Sequence, residues 1–402
     1  MKLANQQIIK GSNLKQLFTL IGESEGISRA GLARLTNLSK VAVSTLVEEL
    51  INSGFVTDMG AVITNKMGRH SNKLVVNRTG KAIMVFNWLP KEIEVSLISL
   101  DDSCLGSYAV SPSGTIDYIE ETKKLYARMQ TEVVGGTEVL GVCIISPSTL
   151  SPNDGVIISS ILEIPEDDTV IKQLREDIPE VPLAFFNDTA CFAYAELPFV
   201  DKVEDLTSWM FLNLNEGIGA VILLGDEMLG GASGNTTEFG HFSIDRYGEL
   251  CSCGNRGCLE NRVGEKALSK RAEELKLSGV DKLAPLTYKD VATKLYLKEK
   301  GYQEFCEALA ADLAYAIGNL ITVHNLQQVI IGGRGQVLGA GFLEMLKDVF
   351  PQSGFHGFVA KTKLHYSKRS PEDKSEFVGA AKYFFATHFS FTKSIQGQTF
   401  LN

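Results

Sequence analysis

Glu238-Phe-Gly-His241, followed by Cys251-Ser-Cys253-Gly-Asn-Arg-Gly-Cys258-Leu-Glu260, is the stretch on which the reading of this 402-residue chain turns. One histidine and three cysteines within residues 241–258 supply the four soft or borderline donors of a closed tetrahedral zinc site. Gly254 and Gly257 allow the turn that brings Cys258 back to the other donors. A closed site leaves no open position for water, so the zinc is read as structural; redox-active thiols are the alternative. Glu238 and Glu260 flank the cluster, and a rigid loop would aim both at a common ligand. Acceptor-only carboxylates beside an imidazole suit a ligand with several hydroxyls, such as a sugar. Spacing alone fits two surface charges equally well.

Outward from that loop, short strands alternate with helices. KAIMVFNW, EIEVSLISL and CLGSYAV (81–88, 92–100 and 104–110) read as strands, residues 117–132 as a helix, and VLGVCIIS (139–146) as another strand. A second such unit begins near Trp209: MFLNLNEG and GAVILLG are strands, 263–278 and 302–324 are helical, and QQVIIGGRG is a strand ending in a glycine turn. A strand meander followed by crossover helices predicts an α/β body with a mixed sheet. No internal repeat is visible, but two similar halves with a ligand-binding cleft between them are the simplest arrangement. Residues 373–389 form an apolar helix expected to pack back on the first half.

Charge separates the first 80 residues from this body. They carry ten Lys/Arg against five acids, a net of +5, so the overall −9 leaves −14 on the remainder. A basic head on an acidic body suggests a polyanion partner for the head, against a chance fluctuation of charge. Leu14, Leu17, Phe18 and Ile21 fall at helical spacing, with Gly22 or Gly26 to end the helix. Ser28 is a candidate N-cap for a helix over 29–35, Asn37-Leu38 makes a tight link, and Ser39 caps a third helix. In that third helix Val43, Leu46, Val47, Leu50 and Ile51 share one face, leaving Lys40, Ala42, Ser44, Thr45 and Glu48 outward. Beyond Gly54, β-prone runs at 55–57 and 73–77 flank a polar stretch with Lys66, Arg69 and His70. The pattern is a winged helix-turn-helix; a trihelical protein-interaction module is the competing reading. Ser39, Lys40, Ala42, Ser44 and Thr45 are the candidate major-groove contacts, and Arg69 the candidate minor-groove contact at the wing tip.

Composition agrees with a globular chain: 44% hydrophobic and 22% charged residues exclude fibrous and disordered classes. No uninterrupted apolar stretch of about 18 residues and no N-terminal cleavage pattern are present, so a cytoplasmic protein without membrane association is expected. Seven cysteines, three of them clustered, point to metal and a reducing compartment rather than disulfides. Cys104, Cys143, Cys191 and Cys306 are expected in the core, and His324, His356, His365 and His388 in packing or surface roles.

Over nearly its whole length the chain resembles the ROK family (repressors, open reading frames and kinases), through GGASGNTTEFGHFSIDRYGELCSCGNRGCLE at 230–260. The resemblance implies an α/β actin-like ATPase, sugar-kinase-like (ribonuclease H-like) two-lobed domain with a zinc loop, behind the N-terminal winged helix-turn-helix. It places the head at 1–80 and the ROK domain at 81–402, with one lobe near 81–196 plus the helix at 373–389 and the other near 197–372. His241, Cys251, Cys253 and Cys258 would bind structural zinc. Asn187, Asp188, Glu238, His241 and Glu260 would bind sugar, although Phe186 stands where the family usually has Glu. Ala42 in place of a common Thr, and His70 in place of the Pro after the wing Gly-Arg, depart from the family's repressors.

Kinases of the family carry an Asp-x-Gly-Gly-Thr turn on the first hairpin. Here Asn87-Trp88-Leu89-Pro90-Lys91 replaces it, losing both glycines, an N–H donor at Pro90 and the carboxylate that would help hold Mg²⁺. Asn215-Glu216-Gly217 stands where Gly-Thr-Gly is usual and brings a negative charge towards phosphate. ATP binding is therefore not expected, and no catalytic residue is assigned; Asp188, the family's catalytic base, would serve as a hydroxyl acceptor. The expected function is a transcriptional regulator of carbohydrate use, in all expectation a repressor, working as a homodimer or tetramer on a double-stranded DNA operator with a sugar effector. An ATP-dependent sugar kinase with a DNA-binding head, and a regulator governed by a protein partner, are the alternatives.

Overall fold

The computed structural model describes residues 2–24, 26–61, 72–151, 156–159, 161–167, 169–178, 181–200, 207–231, 238–277, 284–370 and 373–391. They form two compact units, 1–188 with 376–402, and 189–375.

The first unit opens with α1 (Lys2–Gly22), α2 (Arg29–Leu35) and α3 (Lys40–Asn52), then β1 (Val56–Ala61) and β2 (Asn72–Val76), an antiparallel pair. Both predicted caps form: Ser28 Oγ accepts from the Gly31 N–H and Ser39 Oγ from the Ala42 N–H, each at 3.1 Å. Asn37 takes φ +55 in the link between α2 and α3, a left-handed conformation that Asn tolerates better than most residues. Leu14, Leu17, Ile21, Leu32, Val43, Val47 and Leu50 are buried and make the small core. Helix α1 starts eleven residues earlier than the periodicity from residue 13 indicates. Gly11, Ser12 and Asn13 are weak helix formers that hide its continuity, and Ile8 and Ile9 are exposed. Strands β1 and β2 match the runs read from sequence; Lys66, Arg69 and His70 fall outside the described residues.

Beyond this head, β3 (Lys81–Leu89), β4 (Glu92–Ser99) and β5 (Cys104–Val110) form an antiparallel meander. Helix α4 (Tyr118–Met129) leads to β6 (Glu138–Ser146), which lies parallel to β3. A small sheet of β7 (Thr149–Ser151), β8 (Val156–Ser159) and β9 (Ile164–Asp167) precedes α5 (Val170–Asp177) and β10 (Leu183–Asn187), parallel to β6. In β3 every residue from Lys81 to Trp88 is buried, which explains its unbroken apolar run.

The second unit contains α6 (Asp188–Glu196), whose first residue closes the first unit, then β11 (Ser208–Leu214), β12 (Ile218–Leu224) and the short β13 (Glu227–Met228). Four helices follow: α7 (Glu260–Val263), α8 (Glu265–Glu274), α9 (Tyr288–Tyr296) and α10 (Tyr302–His324). Strand β14 (Gln328–Gly332), α11 (Gly339–Val349), α12 (His356–Val359) and β15 (Lys363–Tyr366) complete it. The two large sheets have one plan: β5-β4-β3-β6-β10 and β13-β12-β11-β14-β15 each join a three-stranded antiparallel meander to two parallel strands. A repeat invisible in the residues is thus plain in the topology. Helix α10 has the length and hydropathy to cross a bilayer, yet Phe305, Leu309, Leu313, Ile317 and Ile321 are fully buried in the second core.

Helix α13 (Ser375–Thr387) returns to the first unit. Phe384 fills a place on β6 that only glycine leaves open, since a Cβ on Gly141 would lie 2.3 Å from its ring. Cys143, Cys191 and Cys306 are buried as expected. Cys104 is exposed, a correction that follows from its place at the start of the edge strand β5.

Asp58 ties the hairpin to the helices. Its carboxylate accepts from Arg29 Nη1 at 2.8 Å, Asn72 Nδ2 at 3.1 Å and the Gly60 N–H at 3.0 Å, while Arg29 Nη2 reaches Glu48 at 3.3 Å. Burial opposes its ionisation, but these hydrogen bonds outweigh that and hold the carboxyl below its usual range. A depressed folded value stabilises the head above the unfolded pKa of about 3.9, and the gain disappears as pH falls through the folded value. Asp58→Asn should therefore speed amide exchange in β1 and β2 about threefold at pH 7, as for a pair worth about 0.5–1 kcal/mol. Below the folded pKa of Asp58, where its carboxyl is protonated, the variant and the natural chain should exchange alike.

Candidate functional site

The loop between β13 and α7 is polar and long, so its shape depends on anchors at both ends. Phe239 and Leu259 are buried in the second unit's core, and Cys258 is buried beside Leu259. Between them the backbone folds on itself: the Ile244 N–H donates to Gly257 O at 2.9 Å, Leu259 N–H to Phe242 O at 3.0 Å and Cys251 N–H to Asn255 O at 2.8 Å. Gly257 sits at φ +61, and a Cβ there would lie 1.9 Å from Asp245 O, so both backbone conformation and space require glycine.

This folding gathers His241, Cys251, Cys253 and Cys258, whose ligand atoms all lie within 4.8 Å of one another. His241 presents Nδ1 to Cys251 Sγ at 3.6 Å, and Cys253 Sγ lies 3.6 Å from Cys258 Sγ. A tetrahedron with metal–sulfur bonds of about 2.3 Å has edges of about 3.8 Å, so the 3.6 Å separations and the donor chemistry are consistent with zinc. Burial opposes ionisation of Cys251, but hydrogen bonds from the Cys253 backbone, from the Cys258 and Cys253 thiols and from His241 bring it to about 7. Burial, then the nearby Cys251 and Cys253, push Cys258 up to about 12. Without a metal, Cys258 would keep its proton near neutrality. A bound dication would supply the charge that ionises it, in competition with protons.

Glu260 follows the loop directly and is held by the β11–β12 turn. The Ile218 N–H donates to its Oε2 at 3.0 Å, and Cβ atoms on Gly217 and Gly240 would meet that oxygen at 2.6 and 3.1 Å. Both glycines thus make room for one carboxylate, a role the sequence reading missed because it depends on a turn far away in the chain. Glu238 is exposed at the start of the loop. In the first unit, Asn187 ends β10 and donates through Nδ2 to Ser148 O at 3.2 Å, and Asp188 follows it, half-buried. Ser146 and Ser148, hydrogen-bonded to each other through their hydroxyls, close the end of β6 beside them.

The two hairpins read as altered phosphate loops are tied down by the protein's own side chains. Asn87 Nδ2 donates to Glu376 Oε1 at 3.3 Å, and Trp88 Nε1 to Thr122 Oγ1 at 3.0 Å, both within the interior. Around Asn215-Glu216-Gly217, Glu216 pairs with Lys266 at 3.3 Å and Arg334 at 3.4 Å, while Arg334 also reaches Glu265 at 2.7 Å. Gly333 is fixed by packing, because a Cβ there would lie 2.5 Å from Asn213 Oδ1.

On the head, Lys40, Ser44 and Thr45 are exposed and Ala42 is half-buried. Ser39 uses its hydroxyl as the cap, and Thr45 Oγ1 donates back to Val41 O at 3.1 Å. Val41, 77% exposed beside Lys40, was absent from the sequence reading, which sorted α3 by polarity and so passed over an outward aliphatic residue.

The profile of the ROK family matches residues 91–386. This chain belongs to the ROK family. A putative xylose repressor of Caldicellulosiruptor sp. (strain Rt8B.4) is 28% identical to it over 379 residues, covering 91% of this chain and 94% of that protein. Among solved structures, a ROK family transcriptional regulator, a homolog of the E. coli MLC protein, superposes with a TM-score of 0.79 at 19% identity over 97% of this chain and 98% of that one. The ROK hexokinase from Thermus thermophilus superposes with a TM-score of 0.61 at 20% identity, over 75% of this chain and 97% of that one. The ROK fold is therefore common to regulators and kinases, and likeness of fold does not choose between them.

The purified chain should carry one zinc per molecule by elemental analysis. Stripping it with a chelator, or Cys253→Ser, should raise amide exchange over 241–258 by about tenfold or more, a local loss of about 1.4 kcal/mol. Gly257→Ala should do the same without any change of donor.

Proposed function

We propose that this chain is a sugar-responsive transcriptional repressor, working as a homodimer or tetramer on a double-stranded DNA operator. The observation that carries the reading is the extent of the likeness to a protein named a xylose repressor: at 91% of the chain it reaches into residues 1–80 as well as the ROK domain. On this reading residues 1–80 are a winged helix-turn-helix and 81–402 the ROK domain. Lys40, Ala42, Ser44 and Thr45, set on α3 by the Ser39 cap, meet base edges and phosphates in the major groove. Arg69 is assigned to the minor groove.

Zinc held by His241, Cys251, Cys253 and Cys258 supplies rigidity and takes no part in chemistry. With Nδ1 turned to the cluster, His241 keeps Nε2 for a ligand hydroxyl. Asn187, Asp188, Glu238, His241 and Glu260 are the sugar-binding residues. All are hydrogen-bonding groups suited to a neutral polyol. Two observations favour a binding role over phosphoryl transfer: the Asn87 turn is closed by Pro90 and paired to Glu376, and Glu216 brings a carboxylate to the other turn.

The test begins with selection of bound duplexes from a random library by the full chain, followed by binding to the selected duplex with and without xylose, glucose or N-acetylglucosamine. A selected sequence whose affinity changes at least fivefold with one sugar is the expected result. That sugar at 100 times its dissociation constant should stabilise the protein by about 2.7 kcal/mol, and Asp188→Ala should abolish the shift. Sugar-dependent ADP formation lost in Asp188→Asn would instead establish a kinase. Duplex binding unaffected by any carbohydrate would point to control by a protein partner.

A further inference from the structure

The head and the Asn187–Asp188 end of β10 are linked by ring contacts that run from Phe186 to His388, Phe384, Phe385 and Phe18, on α13 and the residues just after it. Helix α13 begins where the chain crosses from the second unit into the first, at Ser375–Glu376. Its thirteen residues extend about 20 Å. Midway, Tyr383 stacks on Phe186, ring centroids 4.3 Å apart, and Phe186 immediately precedes Asn187. An aromatic ring at 186, where the family usually has Glu, is what permits this stack.

At its far end the helix delivers Phe385, Phe389 and Phe391 to the head. Phe385 lies 6.0 Å from Phe18 of α1, Phe389 lies 5.6 Å from Phe55, and Phe391 lies 5.2 Å from Phe18 and 5.0 Å from Phe55. Lys15 Nζ donates to Ala386 O at 3.4 Å, and Lys81 Nζ stands 4.8 Å above the Phe55 ring. Phe55, Phe389 and Phe391 are all buried, so α1 and the start of β1 are seated on the C-terminal segment as on a shared core.

We propose that α13 with Phe389 and Phe391 is the positioning element that transmits the state of the Asn187–Asp188 site to the DNA-binding head. Tyr383 and Phe186 are its input contact, and Phe389 and Phe391 its output contact. The inference rests on the function proposed above. A close-packed aromatic contact responds to displacement by repacking as a unit rather than by gradual deformation, which suits it to passing on a two-state change.

The test uses the full-length protein, the selected duplex and xylose as the probe. In Phe391→Ala and Tyr383→Leu, affinity for duplex alone and for xylose alone should each stay within about threefold of the natural chain. The factor by which xylose changes duplex affinity should fall from at least fivefold to under about twofold, and Phe391→Leu should restore part of it. Retention of the full factor in folded Phe391→Ala and Tyr383→Leu would overturn the inference. A second readout needs neither sugar nor DNA: Phe186→Leu should change amide exchange in residues 14–21 of α1 by about threefold or more, whereas Leu97→Val on β4 should not. If no sugar alters duplex affinity but this exchange effect is present, the functional reading falls and the mechanical link stands. If α1 exchanges identically in Phe186→Leu, the link itself is refuted.

Discussion

Enclosure of Phe55 is the contact on which the head's placement depends. A segment of about 80 residues with three helices and a two-stranded hairpin buries only a modest apolar surface. Leu14, Leu17, Val43, Val47 and Leu50 give it a core of modest size, and Phe18 and Phe55 complete that core only by meeting Phe385, Phe389 and Phe391. Helix α1 and the residues after α13 thus share one hydrophobic cluster, and the orientation of α3 follows from how α1 is seated on it. Domains joined by a linker alone would be expected to reorient freely.

The two large sheets repeat one plan, and their equivalent hairpins have been filled in different ways. At the end of β3, a two-residue turn through Pro90 and Lys91 is backed by Trp88 and by Asn87 turned towards Glu376. At the end of β11, Glu216 gathers Lys266 and Arg334, and Glu260 accepts the Ile218 amide just beyond the turn. The strand leading into one turn is fixed by buried hydrogen bonds, and the other turn by ion pairs. The same topological position can therefore be satisfied by the protein's own groups with either kind of physics.

Much of this was legible in the sequence because it was local. Caps at Ser28 and Ser39, the period of α3, and the central strands announce themselves within ten or so residues, and the metal cluster within eighteen. What escaped the reading depends on distant partners. Gly217 and Gly240 are glycines for the sake of Glu260, Gly141 for the sake of Phe384, and Phe186 gains its meaning from Tyr383. Weak helix formers at Gly11, Ser12 and Asn13 concealed the first half of α1, and the repeated sheet plan is carried by strand order rather than by residue identity. Position 104 was misread because an edge strand and a central one share the same alternation until the neighbours are known.

The seating of Phe55 on Phe389 and Phe391 also bears on how the protein is made. On the ribosome the head emerges first, while the rings that complete its core follow roughly 330 residues later, a delay of roughly 20–60 s at about 5–20 residues per second. Throughout that interval the nascent head carries an unfilled aromatic socket, open to chaperones or to another ribosome's product. A chain interrupted before residue 389 would contain all of residues 1–80 and yet leave that socket empty, so completion of the head waits on Phe389 and Phe391.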